Sequence, residues 1–304
     1  MISFKRLLSH PASILLSLNN HQLLNWLSDE MQVRLIYYAS FSRKLNLDNP
    51  TTFNEKIQWL KLYNRQPIFT TMVDKLLVKD YVSSIIGEEY IIPTIGFWNS
   101  CEEIDFEILP DQFVLKTNHD GGGGDGVVIC KDKKSFDIET AKRKLSKSLK
   151  RDVYGQLREW PYKNIKRKIL AEKFLSNGDE DLFDVKIHNF NGEPKLILVC
   201  QGRFGANGLT QDFYSEKWEH LNVRRPKHPN STSPIPAPIE LEQLLDLSRK
   251  LSKDIPFLRT DFYIVDHKIF FGELTFYPTS GFTAFVPNEY DTIFGTWIKL
   301  PIDK

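Results

Sequence analysis

Four consecutive glycines, Gly121, Gly122, Gly123 and Gly124, separate two short runs rich in β-branched residues, 113–117 (FVLKT) and 126–131 (GVVICK). Such runs read as strands, and the linker between them, NHDGGGGD, reads as a flexible hairpin loop. Glycines carry no Cβ, so their backbone N–H groups can close around the oxygens of an anion. Lys116 ends the first strand and adds a point charge beside that loop. The spacing is neither GxxxxGK[ST] nor GxGxxG running into a helix, which excludes a P-loop and a Rossmann turn. Two readings remain: a strand–loop–strand flap over phosphates, and a surface hairpin. Asp120 and Asp125 flank the glycines and would repel phosphates unless a lysine or a metal intervenes.

A second pattern is LRTDFYIVDHKIFFGELT, residues 258–275. It predicts strands at 258–265 and 268–274 joined across Asp266-His267. Arg259 and Asp261 are two apart and share a face, as do Glu273 and Thr275 on the next strand. The hairpin can bring Asp261 and Glu273 together. Two carboxylates side by side call for a cation, and a hard cation such as Mg²⁺ selects such oxygens while keeping phosphates as further ligands. The competing reading is a polar outer face on which Arg259 neutralises Asp261.

A third pattern is ILAEKFLSNGDEDLFD: an apolar strand at 168–175 containing Glu172, then the acids Asp179, Glu180, Asp181 and Asp184. The acids read either as a solvated loop or as carboxylates for ribose hydroxyls, with backbone groups reading a base.

The remaining chain is predicted as helices and antiparallel hairpins in blocks, an α+β arrangement. Helical spacing covers 52–63 and 71–85, a short strand is predicted at 90–92 before Pro93, and 136–150 is a basic helix. Strands at 184–190 and 194–200 join through Asn191-Gly192, a type I′ turn signal. Residues 225–238 are Pro/Ser-rich loop, and helices follow at 240–251 and 290–298. Divided by these signals, the chain has a helical N-terminal extension (1–45), a segment 46–110, a small subdomain with the glycine loop (111–175) and a C-terminal subdomain with the carboxylate hairpin (176–304).

Forty Lys and Arg against 39 Asp and Glu leave a net charge of +1, which argues against a dedicated nucleic-acid binder. The balance is uneven along the chain, since residues 140–171 hold eleven basic residues and only Asp152 and Glu159 in opposition. That stretch is either a solvated face or an electrostatic funnel for a polyanion. Cys101, Cys130 and Cys200 are sparse and odd in number, and no Cys/His metal spacing occurs, so a cytoplasmic setting is expected. At the N-terminus Ser9, His10 and Pro11 interrupt the apolar stretch, leaving no secretory core. Two amphipathic segments, 14–27 and 31–38, read as helices packed on the body, with peripheral contact at the inner membrane face as the alternative.

In order, these pieces resemble the ATP-grasp superfamily: VDKLLVK (73–79), Lys116 and the glycine loop, AEKFL (171–175) and the R-x-D…E hairpin. FNEKIQWLKLY, LPDQFVLKTNH, REWPYKNIK, FNGEPKLI and FGELTFYPTSGF resemble its TupA-like, teichuronopeptide-biosynthesis branch, from about Thr52 to Pro301. The resemblance implies ATP and Mg²⁺ as cofactors. It implies that Lys75 and Lys116 bind phosphates under the glycine loop. The backbone of Lys173 and Leu175 would read adenine beside Glu172, and Asp179 or Asp184 would take the ribose. Asp261, Glu273 and Thr275 would hold Mg²⁺, with Thr275 standing where the family usually has asparagine. Arg259 would steady the transferring phosphate, and Arg203 is a further candidate for a substrate carboxylate or phosphate. The implied activity is an ADP-forming ligase that joins an amino compound to a uronic acid, its partners an anionic glycan or lipid-linked saccharide and an amino co-substrate. The alternatives are a nucleotide-sugar glycosyltransferase using the 179–181 acids, a glycan kinase of the same fold, and a catalytically silent scaffold.

Overall fold

The computed structural model describes residues 11–120, 126–178, 182–202 and 208–302. Two helices open it, α1 (Pro11–Asn20) and α2 (Asp29–Phe41), from the two amphipathic segments. Ser28 caps α2 by accepting from Met31 N, and Asp29 and Glu30 fill the first turn, where the helix dipole favours negative charge. α3 (Phe53–Tyr63) starts at a capping box in which Thr52 and Glu55 exchange hydrogen bonds.

Residues 71–85, predicted as one helix, lie in two: α4 (Ile68–Val73) and α5 (Val78–Ile86). Asp74 makes the break. Its backbone is extended at ψ 111°, and its Oδ1 accepts from Leu76 N and Leu77 N, so the carboxylate competes with helix hydrogen bonding and opens the second helix. No strand forms at 90–92: Tyr90 ends a 3-10 turn (Glu88–Tyr90), Ile91 and Ile92 are irregular, and β1 (Thr94–Trp98) begins only after Pro93. Proline has no N–H for a ladder, so pairing starts beyond it.

β2 (Phe113–Thr117) and β3 (Val127–Cys130) pair antiparallel, with Lys116 opposite Val127 at the glycine end. After α6 (Ile138–Leu149) and the short α7 (Val153–Leu157), β4 (Ile169–Lys173) inserts between β1 and β2. The edge strand of this four-stranded sheet thus comes from the 46–110 segment. Leu145 of α6 packs on Phe113, Leu115, Ile169 and Ala171, which cover one face. Alternation sends Val114, Lys116, Leu170 and Glu172 to the other.

The second sheet comprises β5 (Phe183–Phe190), β6 (Glu193–Gln201), β7 (Thr210–Ser215), β8 (His220–Leu221), β9 (Phe257–Val265) and β10 (Lys268–Thr275). Its order is β10-β9-β5-β6-β7-β8, with every pair antiparallel. β7 and β8 escape a pattern reading because TQDFYS is largely polar. Asn191 and Gly192 take the left-handed φ values of 53° and 84° that the turn requires. Residues 225–238 contain no helix or strand. α8 (Leu241–Ser252) covers one face, its Ser248 Oγ donating to Asn189 Oδ1 at 2.8 Å. α3 docks at one end of the opposite face, where Phe53 meets Phe190, Phe257 and Phe285 edge-on. α9 (Glu289–Trp297) closes the chain against α3, its Asp291 accepting from Asn54 N at 3.0 Å. Among the described residues no helix is long and apolar enough to cross a membrane.

Candidate active site

Alternation along β5, β9 and β10 gathers Asp184, Lys186, Arg259, Asp261, Tyr263, Glu273 and Thr275 on the face away from α8. Register then sets Lys186 opposite Asp261, Asp261 opposite Glu273, and Arg259 opposite Thr275. A bulge between Phe271 and Glu273 makes the last two pairings. Gly272 sits in it, and a Cβ there would lie 3.1 Å from the Asp261 carbonyl oxygen, closer than side chains ordinarily approach.

The side chains form a dense charge network. Arg259 donates from Nε to Asp261 Oδ1 at 2.6 Å and from Nη2 to Asp261 Oδ2 at 2.7 Å, Glu273 Oε1 at 2.9 Å and Thr275 Oγ1 at 3.0 Å. Lys186 Nζ donates to Asp261 Oδ2 at 2.6 Å and Asp184 Oδ1 at 2.8 Å. Burial works against Asp261's charge, but Arg259 and Lys186 hold its carboxyl below the usual range. Burial also opposes the Lys186 ammonium, which Asp261 and Asp184 hold above the ordinary lysine value. Burial pushes the Tyr263 phenol up to about 12, so it stays protonated on this face.

The four-stranded sheet supplies the facing wall. Glu172 is shared by Lys79, 2.8 Å away, and by Lys116. Burial opposes the carboxylate, but Lys116 and Lys79 hold its carboxyl below the usual range, and Glu172 in turn keeps the buried Lys116 charged. Lys75, Lys79, Lys116 and Glu172 line a cleft closed on the far side by Phe271 and Gly272. Lys75 spans it: its Nζ donates to Asp120 O at 2.8 Å and lies 3.8 Å from Glu273 Oε2. Asn118, at the end of β2, fixes the start of the glycine loop. It accepts from Lys75 N and Lys168 N and donates through Nδ2 to Asp74 Oδ2. Asp120, which would repel phosphates, is buried and accepts from Arg151 and Ser148, each at 2.8 Å. One residue of the basic stretch is thereby committed to structure, and Arg158, against Asp29, is a second. His119 is buried, its Nε2 donating to Arg151 O, and burial lowers its pKa, which suits a neutral structural group.

The structure therefore brings together Lys75, Lys116, Glu172, Asp184, Arg259, Asp261, Glu273 and Thr275. Lys173 closes β4 with its N–H on Pro93 O, leaving Leu175 in the coil beyond. Gly121, Gly122, Gly123, Gly124, Asp179 and Arg203 lie outside the described residues. Lys186 and Lys79 complete the set, although neither stands among the site residues expected from the sequence. Lys186 had a signal: D-x-K on one strand, beside R-x-D on another, is a charge-complementary pair of alternations. Lys79 closes the VDKLLVK stretch (73–79), and its contact with Glu172 is what places it in the site.

The donor set suits a magnesium ion that arrives with its nucleotide. Among the described residues no group of three or more His, Cys, Asp or Glu could enclose a metal. The Glu273 side chain is 31% exposed, lies 3.8 Å from Lys75 Nζ and adjoins Thr275, so two hard oxygens sit beside Lys75, while Asp261 is already neutralised. Mg²⁺ tolerates few protein ligands when phosphates and water complete its shell.

Solved structures similar to the chain include the D-alanine–D-alanine ligase of Bacillus anthracis in complex with ATP, at 16% identity over 67% of this chain and 53% of that one, TM-score 0.39. The Helicobacter pylori D-alanine–D-alanine ligase shares 14% identity over 81% and 69%, TM-score 0.41. The ADP complex of N5-carboxyaminoimidazole ribonucleotide synthetase shares 13% over 82% and 57%, TM-score 0.46. The chain thus spans about half the length of the first of these. No curated protein matches it. The family model described as TupA-like ATPgrasp matches residues 55–299, from the first turn of α3 to just past α9. With the lysines, the carboxylate hairpin and the glycine linker all inside that span, the chain belongs to the TupA-like ATP-grasp family.

Proposed function

We propose that the protein is an ATP- and Mg²⁺-dependent, ADP-forming carboxylate–amine ligase acting in surface-polysaccharide biosynthesis. The observation that carries this reading is the register that sets Arg259, Asp261 and Lys186 beside Glu273 and Thr275, with Lys75 Nζ 3.8 Å from Glu273 and Lys116 paired to Glu172 on the other sheet. Phosphoryl transfer needs positioning and charge stabilisation more than covalent help from the protein. Lys116 and Lys75 hold the phosphate chain. Arg259, fixed by Asp261, supplies positive charge where negative charge develops on the transferring group. Glu273 and Thr275 would hold Mg²⁺, which supplies charge neutralisation between phosphates when bound. Lys186 keeps Asp261 ionised, and so keeps Arg259 aligned. The acceptor carboxylate takes the γ-phosphoryl group, and an amine then displaces phosphate from the acyl phosphate.

The family supports a uronic acid as carboxylate and an amino compound as nucleophile, carried on an anionic glycan or lipid-linked saccharide. Of the eleven basic residues at 140–171, Lys142, Arg143 and Lys144 of α6 are candidates for guiding such a polyanion. The working place is then the cytoplasm, at the inner face of the membrane. Exposed Trp26 and Leu23, 80% and 58% accessible, suit peripheral contact there. The test is purified protein with ATP, Mg²⁺ and uronate–amine pairs. ADP, phosphate and a coupled amide are expected, whereas AMP and pyrophosphate would refute the acyl-phosphate route.

A further inference from the structure

α3 carries a stripe that its packing role does not explain. Asn54, Gln58 and Lys61, spaced four and three apart on one face, are each 0% exposed. All three donate to backbone carbonyls of the segment that follows β10. Lys61 Nζ reaches Ser280 O at 2.7 Å and Ser280 Oγ at 2.9 Å, and Gln58 Nε2 reaches Ser280 O at 3.0 Å and Gly281 O at 2.8 Å. Asn54 Nδ2 reaches Thr283 O at 3.3 Å, and Arg225, from outside the helix, donates to the same oxygen.

The segment they hold is unusual. Thr279 and Ser280 have φ of 49° and 55°, left-handed without being glycine, and Gly281 follows at 65°. Such a non-glycine conformation is strained and persists only where its surroundings enforce it. The packing leaves no slack, since a Cβ on Gly281 would lie 2.5 Å from Gln58 Nε2.

We propose that Lys61, with Gln58 and Asn54, is a positioning residue for phosphoryl transfer. It clamps the 278–283 turn and so fixes the end of β10, holding Glu273 and Thr275 where Arg259 and Lys75 meet them. This rests on the ATP-dependent ligase reading. Glu159 is the acidic group facing Lys61. Tyr277 and Phe282 lie 5.8 and 4.3 Å from its ammonium, and Arg65 donates to the Lys61 carbonyl. Burial pulls Lys61 down to about 7, with Glu159 opposing. Burial raises Glu159, while Lys61, Ser280 and Arg151 lower it and Glu273 raises it further. As pH rises through neutrality the ammonium loses its proton and the clamp weakens.

Full-length wild type, Lys61→Met, Lys61→Arg and Glu159→Gln are compared by MgADP calorimetry, ADP formation from MgATP across pH, and urea unfolding without nucleotide. Lys61→Met is expected to bind MgADP within about threefold of wild type while kcat falls at least about tenfold. Lys61→Arg restores part of kcat and removes the decline above neutral pH. Glu159→Gln moves that decline to lower pH and carries the test if Lys61→Met fails to fold. Without nucleotide, the wild-type urea midpoint gains a rising component above pH 7, because the unfolded lysine keeps a proton that the folded one releases. Lys61→Met lacks that component. Unchanged kcat, equal losses of kcat and MgADP affinity, or identical pH slopes overturn the proposal. Wild type that neither binds MgADP nor forms ADP overturns the ligase reading itself, and this inference with it.

Discussion

Glu172→Gln removes a carboxylate that two buried ammonium groups share. The side chains of Glu172, Lys79 and Lys116 are 6%, 11% and 17% exposed, so solvent screens the loss poorly. Removing one partner of a buried pair costs about 3–5 kcal/mol, because the other charges stay buried without it. At about 2.1 cal/mol/K of unfolding entropy per residue, 304 residues give about 0.6 kcal/mol/K, so the melting temperature should fall by about 5–8 °C at pH 7. The sign with pH follows from the direction of the shift. Glu172's folded pKa lies below its ordinary value, so its contribution is full above the unfolded pKa and is lost as pH falls through the folded one. The gap between wild type and variant therefore closes on acidification. Circular dichroism melts at neutral and acidic pH read both effects. A drop under about 2 °C at pH 7, or a gap that widens in acid, refutes the claim that Glu172 neutralises the two lysines.

Other outcomes follow from the same contacts. Lys186→Met should lower kcat by at least about a hundredfold with MgADP affinity kept within a few-fold, since it disturbs Asp261 and Arg259 but not the Lys116 wall; steady-state kinetics with calorimetry decides it. MgATP at about 100 times its Kd should stabilise wild type by about 2.7 kcal/mol, or about 4 °C, and should leave Lys116→Ala nearly unmoved in thermal shift. Asp74→Ala removes the acceptor for Leu76 N and Leu77 N and should cost about 1–2 kcal/mol in urea unfolding. Gly192→Ala should cost about 1 kcal/mol in the same assay, through its φ of 84° alone, because the added Cβ meets nothing closer than 3.5 Å.

Periodicity exposed the parts of this fold whose local signal agrees with the tertiary outcome. The β5–β6 and β9–β10 hairpins were legible because alternation and turn residues coincide, and from them the alignment of Asp261 with Glu273. β7 was not, because TQDFYS owes its place to partners far along the chain. The split between α4 and α5 was hidden because Asp74 fits a helix by pattern and breaks it only by bonding its own following N–H groups. In the site, charged residues beside glycines were visible while their pairings were not. Glu172 read as a residue beside adenine, yet its carboxylate ties Lys79 to Lys116. Asp120 read as a phosphate-repelling intruder, and Arg151, thirty-one positions on, neutralises it. The buried stripe of α3 was the least legible feature, because Asn54, Gln58 and Lys61 look like a solvated face until the turn at 278–283 is set against them.

In the proposed reaction a substrate carboxylate, and not a hydroxyl or a nucleotide phosphate, attacks the γ-phosphate. Carboxyl-¹⁸O-labelled uronate, an amine acceptor and MgATP, followed by mass analysis of the released phosphate, tests it most directly. ADP is expected together with phosphate carrying one ¹⁸O from the carboxylate. Unlabelled phosphate alongside amide formation, or release of AMP, would contradict it.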